Sequence, residues 1–176
     1  MPKKVNILIP TTLKSMMQYH MRRKDREITD VATLKKILKT AQYVTIAMCK
    51  DNQPYLVSLS HGYDEERNCI YFHCTREGKK LDYLKSGRVW GQALLDHKYA
   101  EGECTHLYAS VHFSGKIIFL DSIEEKRHAL ECMIRQLDSN PKKLIAGLTS
   151  ERLNRVVVGR IDIEYMSGKK SNEITV

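Results

Sequence analysis

The chain has 176 residues and a formal net charge of +8 at pH 7, and this length allows one domain with a hydrophobic core. Its hydrophobic fraction of 42% and charged fraction of 28% are ordinary for a globular protein. No apolar run approaches the roughly 20 residues of a membrane-spanning helix, and the apolar residues 5–10 are too short for the core of a signal peptide. We therefore expect a cytoplasmic protein with no membrane partner.

The positive charge is concentrated at the N-terminus. Residues 1–26 carry seven Lys and Arg side chains against one acidic residue, Asp25, which gives this segment a net charge of +6. Residues 27–166 carry a net charge of only +1. A nearly neutral body does not favour a domain that binds nucleic acid. The basic arm itself is either a solvated tail or a contact for an acidic partner.

The hydrophobic pattern predicts one early helix and then mostly strands. Asp30 is a predicted N-cap, and apolar residues recur on one helical face over residues 31–41. A period of two then dominates, and it predicts strands at residues 43–49, 54–63, 69–75, 89–95, 106–114, 116–120 and 155–166. Further helices are predicted at residues 79–86, 122–137, 142–148 and 150–153, with a capping box formed by Ser122 and Glu125.

The sequence also predicts a loop, a turn, and a weak strand and helix near the N-terminus. Residues 96–105 are polar and predict a loop, and Gly115 predicts a turn between two strands. Residues 5–9 and 12–21 carry weaker strand and helix patterns. Six or seven consecutive antiparallel strands with a few helices in one domain predict a mainly β fold, a small barrel with helices packed outside.

A strand, a glycine turn and the start of a helix form the first candidate site, in residues 69–82. His73 lies near the end of the strand, Gly78 breaks the extended pattern, and Lys79 and Lys80 open the helix. Backbone N–H groups and a lysine at such a turn suit an anion. The pattern alone also allows His73 to bond a neighbouring carbonyl and both lysines to lie on an ordinary surface.

Other polar residues in the predicted strands leave alternatives open. Ser58, Ser60 and His61 interrupt an apolar strand and face either a ligand or solvent. The five cysteines include no CxxC pair, and we expect free thiols. Cys69 and Cys74 are an odd number of positions apart, so they should point to opposite faces of their strand. We predict no metal site, because Cys104, His106 and His97 do not make a four-ligand set.

Several phrases in order resemble a known family. They are Met21-Arg-Arg-Lys-Asp-Arg-Glu27, Pro54-Tyr-Leu-Val-Ser-Leu59 with Gly62-Tyr63, Tyr71-Phe-His-Cys-Thr75 with Gly78 and Lys80, Cys104 with Tyr108 and Ser110-Val111, Glu125-Lys126 with Leu130, and Ser167-Gly168-Lys169. The chain resembles the 5-nitroimidazole-resistance (Nim) proteins, within the pyridoxamine 5′-phosphate oxidase-like, FMN-binding split β-barrels. The resemblance covers residues 21–170, which leaves residues 1–20 as a basic extension and 171–176 as a tail.

The resemblance implies a six- to seven-stranded antiparallel split β-barrel with flanking helices, which forms a homodimer with FMN at the interface. The implied cofactor-binding residues are Val57, Ser58, Leu59, Ser60, His73, Cys74, Thr75, Lys79, Lys80, Tyr108, Ser110 and Val111, the last three from the partner subunit. Of the two lysines, Lys80 is the better match to the phosphate ligand, and His73 matches a histidine with a proposed catalytic role. The chain departs from the family pattern at Ser58, where proline is common, and at Ala109, where arginine is common.

The implied function is that of an FMN-dependent oxidoreductase that passes electrons from NAD(P)H to a small-molecule substrate, in the manner of a nitroreductase. A second hypothesis is a non-catalytic flavin- or haem-binding protein of the same fold. A third is nucleic-acid binding through the basic arm, which the charge distribution does not favour.

Overall fold

A computed structural model describes residues 21–176. The strand predicted at residues 5–9 and all but the last residue of the helix predicted at 12–21 lie outside the described part of the chain. The strands are β1 Glu27–Ile28, β2 Tyr43–Lys50, β3 Gln53–Ser60, β4 Gly62–Asp64, β5 Cys69–Cys74, β6 Arg88–Ala100, β7 Thr105–Leu120 and β8 Val157–Lys170. The α-helices are α1 Val31–Thr40, α2 Lys79–Leu84, α3 Ile123–Leu137, α4 Pro141–Ala146 and α5 Ser150–Arg155, and a 3₁₀ turn at Lys24–Arg26 precedes β1.

The strands form one antiparallel sheet that does not close. Its order is β3-β2-β6-β7-β8-β5-β4, and β1 pairs with β8. This arrangement, with helices on the flanks, confirms the predicted mainly β split barrel. The strand count is eight in the described residues because β1 was not predicted, the segment 54–63 is two strands, and the segments 106–114 and 116–120 are one.

The break between β3 and β4 falls at His61. The β2–β3 hairpin turns through Asp51 and Asn52, whose φ angles of 50° and 58° are those of a tight two-residue turn. The returning strand ends at Ser60, and Gly62 begins a new strand that pairs with β5 instead of β2. The prediction of one continuous strand was therefore wrong at the residue where the chain changes partners.

The β6–β7 hairpin is longer than predicted. The predicted loop 96–105 is largely strand, because β6 extends to Ala100 and β7 starts at Thr105, with an irregular register between Asp96 and Tyr99. Gly115 is not a turn, because β7 runs through it to Leu120. A Cβ at Gly115 would lie 2.1 Å from the carbonyl oxygen of Asp162, so glycine is needed here for the close approach of β8.

The helices cap the two sides of the barrel. Asp30 accepts hydrogen bonds from the backbone N–H groups of Ala32 and Thr33, as its predicted N-cap role requires, and α1 buries Leu34, Ile37 and Leu38 in the barrel core. A second apolar cluster lies between α3 and the outside of the sheet and contains Cys69, Tyr71, Leu120, Ala129, Met133 and Val158. Of the helices in residues 21–176, none is long and apolar enough to cross a membrane.

Candidate functional site

The sheet opens between β3 and β5. Strand β4 pairs with β5 from Asp64↔Cys69 to Gly62↔Tyr71, and there the pairing ends. Strand β3, which leads into β4, contacts β5, but no β3–β5 pairing occurs in the described chain. The opening is bordered by residues 57–60 of β3 and 72–74 of β5, and we call it the β3–β5 gap. It brings together two groups of residues that the sequence predicted separately.

Strand β3 offers backbone groups to this gap. It pairs only with β2 in the described residues, so its other edge carries unpaired N–H and C=O groups. Ser58 and Ser60 are exposed, and the Ser58 hydroxyl lies 2.9 Å from that of Thr45. Val57 is half-buried and Leu59 is buried in the barrel core, so a ligand can contact them chiefly through the backbone.

His73 lies at the end of β5 where helix α3 no longer covers the strand. Tyr71, on the same face, is buried in the cluster below α3, whereas the His73 side chain remains exposed. Partial burial of the imidazole, assisted by the positive charge of Lys80, lowers the pKa of His73 from its ordinary value. The imidazole is therefore neutral near pH 7, with one ring nitrogen free to donate a hydrogen bond and one to accept.

The two lysines at the start of α2 have different surroundings. The Lys79 ammonium lies 4.9 Å from the centre of the Tyr55 ring and 5.7 Å from that of Tyr83. The two tyrosine rings are themselves 4.8 Å apart, so Lys79 is held in cation–π contact that ties α2 to β3. Lys80 is half-buried and acts electrostatically on both His73 and Cys74. Its charge is therefore directed at the end of β5.

The turn between β5 and α2 is open to a ligand. The Thr75 hydroxyl donates a hydrogen bond to the carbonyl oxygen of Glu77 at 2.8 Å, which tightens the turn. Gly78 has a φ of +116°, a conformation that favours glycine, and no heavy atom lies within 4 Å of the position its Cβ would take. The glycine therefore serves the backbone path and leaves free space beside the turn.

The two cysteines of β5 lie on opposite faces, as predicted. Cys69 belongs to the cluster below α3, and Cys74 belongs to the barrel core. Burial raises the pKa of Cys69 to about 11, and burial also raises the pKa of Cys74 although Lys80 opposes it. Neither thiol is a reactive thiolate at neutral pH. Cys74 therefore borders the gap as a packing residue.

The third predicted group lies on β7. Tyr108 is half-buried and Ser110 is buried, while Val111 is buried in the barrel core. Ser110 pairs with Lys169 of β8, eleven positions from Val158, the residue that pairs with His73. Eleven strand residues span roughly 35 Å along the chain. Along β8, Ser110 is therefore far from the row of His73, whereas across β2 and β6 it lies on the same sheet face as Ser60, three strands away.

A family model described as pyridoxamine 5′-phosphate oxidase matches residues 30–170. The chain belongs to the pyridoxamine 5′-phosphate oxidase family. The matched region contains both borders of the β3–β5 gap and the whole of α2. Among curated proteins, no match to the chain was found.

Solved structures share this fold. A candidate 5-nitroimidazole antibiotic resistance protein from Bacteroides thetaiotaomicron is 23% identical with a TM-score of 0.70, over 86% of this chain and 95% of that chain. The FAD and haem binding protein from Mycobacterium smegmatis is 18% identical with a TM-score of 0.70, over 86% and 76%. An FAD-binding protein from Mesorhizobium loti is 26% identical with a TM-score of 0.59, over 83% and 97%.

Some residues around the site were not found from the sequence. The tyrosine pair that holds Lys79 gave no sequence signal, because Tyr55 and Tyr83 lie in different elements. His61, grouped with Ser58 and Ser60 in the sequence, is fully buried and faces neither ligand nor solvent. His112 lies on the outward face of β7 with Tyr108 and Ser110, and the alternation along β7 was a signal that could have singled it out.

Proposed function

We propose that this member of the pyridoxamine 5′-phosphate oxidase family is an FMN-binding oxidoreductase that passes electrons from NAD(P)H to a small acceptor, with nitro-aromatic compounds as the acceptor class. The observation that carries the proposal is the β3–β5 gap, which has an unpaired strand edge on one side and His73 with Lys80 at the end of the other. Relatives of this fold named for flavin binding and for nitroimidazole resistance support it.

The residues at the gap suit a flavin mononucleotide. The free edge of residues 57–60 offers N–H and C=O groups to the polar edge of a flavin ring, and the Lys80 ammonium offers charge to a phosphate. The open space beside Gly78 leaves the turn accessible. A bound flavin supplies the hydride and electron transfer, while the chain binds it, orients it and sets its electrostatic surroundings.

His73 is the residue for which we propose a catalytic role. Its imidazole is exposed at the gap and neutral near pH 7, because partial burial and Lys80 lower its pKa. In its neutral form the imidazole can donate a ring N–H hydrogen bond to an acceptor that gains negative charge, and its other ring nitrogen can accept a proton as a general base. The atom involved would be the ring nitrogen that faces the gap.

The proposed assembly is a homodimer, with Tyr108, Ser110 and the backbone of Val111 contributed to each site by the second subunit. The separation of eleven residues along β8 between the partner of Ser110 and the partner of His73 supports this arrangement. Tyr108 and Ser110 lie on the outward side of β7, opposite the barrel core.

The absorption spectrum of the protein as purified tests the proposal. We expect a yellow protein with an oxidised-flavin spectrum that bleaches when NADPH or NADH is added without oxygen and returns when a nitro-aromatic acceptor is added. Chromatography of the flavin released by heat should identify FMN rather than FAD. A colourless protein that takes up neither flavin would overturn the proposal.

One observation favours a second candidate, a flavin- or haem-binding protein without catalytic activity. The exposed, neutral imidazole of His73 is also a suitable axial ligand for haem iron, and the Mycobacterium smegmatis structure is named for both FAD and haem. A Soret band in the purified protein, lost in His73→Ala, would favour this candidate over the oxidoreductase.

A further inference from the structure

The outward face of the sheet carries a continuous polar row across five strands. Each member is the register partner of the next, and the row consists of Ser58, Thr45, Gln92, His112 and Ser167. The flanking rows are mostly apolar or small: Leu56, Ala47, Trp90, Ser114 and Tyr165 on one side, and Ser60, Tyr43, Leu94, Ser110 and Lys169 on the other. We call these three rows the open face.

The open face exposes large apolar side chains to solvent in a single subunit. Leu56 is 64% exposed, Tyr43 53%, Leu94 41% and Trp90 39%. They lie together on adjacent strands, and the two hydrophobic clusters of the described residues do not include them. An exposed patch of this kind marks a contact surface.

The charge of the open face indicates which partner it fits. The whole chain carries a net charge of +8. Among the fifteen residues of the three rows, the one formally charged at pH 7 is Lys169, and its register partner on β1 is the acidic Glu27. Two copies of a strongly basic chain repel each other least through such a neutral face. A nucleic acid or an anionic membrane would instead be attracted to basic residues. The face therefore fits a second copy of this chain.

His112 is at the centre of this face and is its pH-sensitive group. Its Nε2 lies 3.2 Å from Nε2 of Gln92, a contact that is a hydrogen bond when the amide donates to a neutral imidazole. On β8 it faces Ser167, with Lys169 one outward position further along, and Lys169 pairs with Glu27 of β1. On β6 and β2 its neighbours are uncharged. Burial and then Lys169 lower the pKa of His112.

We propose that the open face joins two copies of the chain, with the Gln92–His112 pair at its centre, and that protonation of His112 separates them. This inference rests on the proposed homodimer and adds to it the contact surface and its control by pH. A protonated His112 loses its acceptor for Gln92 and places a second positive charge beside Lys169 in each copy. Enclosing these charges between two apolar flanks is unfavourable.

The sign of the effect follows from linkage. A dimer that excludes protonated imidazole is fully present above the pKa of His112 and is lost as pH falls through it. Two imidazoles with an ordinary pKa near 6.5 would together weaken the dimer by about 1,000-fold between pH 7.5 and pH 5.0. The lowered pKa of His112 reduces this factor, and we expect a change in dimer dissociation constant of at least about tenfold.

Sedimentation equilibrium of the full-length protein at pH 7.5 and pH 5.0, at constant ionic strength, tests the inference. We expect a dimer at pH 7.5 that dissociates at pH 5.0, a dimer at both values for His112→Gln, and a weakened dimer at both values for His112→Lys. His106→Gln is the matched control, because His106 lies on the same strand at the exposed end and pairs with Asp96. This variant should keep the pH response of the wild type.

Two outcomes overturn the inference. If the wild-type dimer has the same dissociation constant at both pH values, or if His112→Gln responds to pH like the wild type, protonation of His112 does not govern the dimer. A protein that is monomeric at both values removes the interface as well. The flavin spectrum separates that result from a failure of flavin binding, and circular dichroism of each variant separates it from unfolding.

Discussion

The Nε2 atom of His61 lies 2.8 Å from the carbonyl oxygen of Leu38, so the junction of β3 and β4 is bonded to the last turn of α1. The side-chain amide of Gln136 on α3 donates to Leu38 and Ala41 carbonyls, and its oxygen accepts from the backbone N–H of Tyr63. Three elements therefore fix the residue at which the chain leaves β2 and joins β5. This bend is what opens the β3–β5 gap.

Replacing His61 with Ala should destabilise the protein and disturb the gap. The imidazole is fully buried, so its removal leaves a cavity and leaves the Leu38 carbonyl with Gln136 as its remaining side-chain partner. We expect the free energy of unfolding to fall by about 2–4 kcal/mol and flavin affinity to fall with it. Urea denaturation gives the first quantity and flavin titration the second. Ser60→Ala, at the neighbouring exposed position, should change stability by less than about 0.5 kcal/mol, and an equal loss there would contradict this role for His61.

Lys80 and Lys79 should differ in their effect on flavin binding. If Lys80 contacts the phosphate, Lys80→Ala removes a charged hydrogen bond worth about 1.5–3 kcal/mol, which corresponds to a dissociation constant for FMN raised by about 10- to 150-fold. Lys79→Ala is the matched control, because Lys79 is held between Tyr55 and Tyr83. This substitution should lower the stability of the protein by about 0.5–1 kcal/mol and leave FMN affinity unchanged. Quenching of FMN fluorescence measures both variants. Equal losses of affinity would contradict the assignment.

The pH dependence of turnover should reveal His73. Partial burial and Lys80 lower the pKa of His73 from the ordinary value of about 6.5. The neutral form is therefore present at pH 7 and is lost as pH falls through this lowered pKa. If the neutral form is active, kcat should decline on the acid side with an inflection below pH 6.5. His73→Gln should retain bound flavin, lower kcat by about 10²- to 10⁴-fold and lack the inflection. The inflection should move upward in Lys80→Ala, because a repelling charge is removed.

Much of the fold was predictable because the hydrophobic pattern reports burial directly. Alternation found the main strands, and the N-cap at Asp30 and the capping serine at Ser122 located the starts of α1 and α3. The pattern failed where burial and polarity disagree. His61 is polar but fully buried, so the break between β3 and β4 gave no signal, and residues 96–100 are polar because that arm of the hairpin is exposed on the whole.

The candidate site was predictable in its parts and not in its assembly. The turn after β5 carried local signals in Gly78 and the two lysines, but spacing alone could not say that Lys79 would be held by Tyr55 of another strand. The gap itself depends on β4 being too short to pair with all of β5. Gly62, the first residue of β4, lies directly against α3, where a Cβ would be 2.6 Å from the backbone nitrogen of Met133.

Asp64 should control the stability of the protein in acid. Its Oδ1 accepts from the backbone N–H groups of Glu66 and Arg67 at 3.1 Å each, and its Oδ2 lies 2.8 Å from Nε2 of His128 and 3.4 Å from the Tyr71 hydroxyl. Burial alone would raise the pKa of Asp64, but the His128 bond and the backbone N–H of Arg67 outweigh it and lower the pKa. Stability from this carboxylate is therefore present above its unfolded pKa of about 3.9 and is lost as pH falls through the lower folded value.

Asp64→Asn should cost about 1–3 kcal/mol at pH 7, because an amide cannot accept all four bonds, and it should flatten the loss of stability below about pH 4. Urea denaturation from pH 7 to pH 3 measures both effects. Glu131→Gln provides the control, since Glu131 pairs with Arg135 at 3.4 Å on the surface of α3 and such exposed pairs contribute about 0.5 kcal/mol or less. If Asp64→Asn loses stability below about pH 4 as steeply as the wild type, other carboxylates cause that loss. Asp64 would then only anchor α3 against the β4–β5 turn.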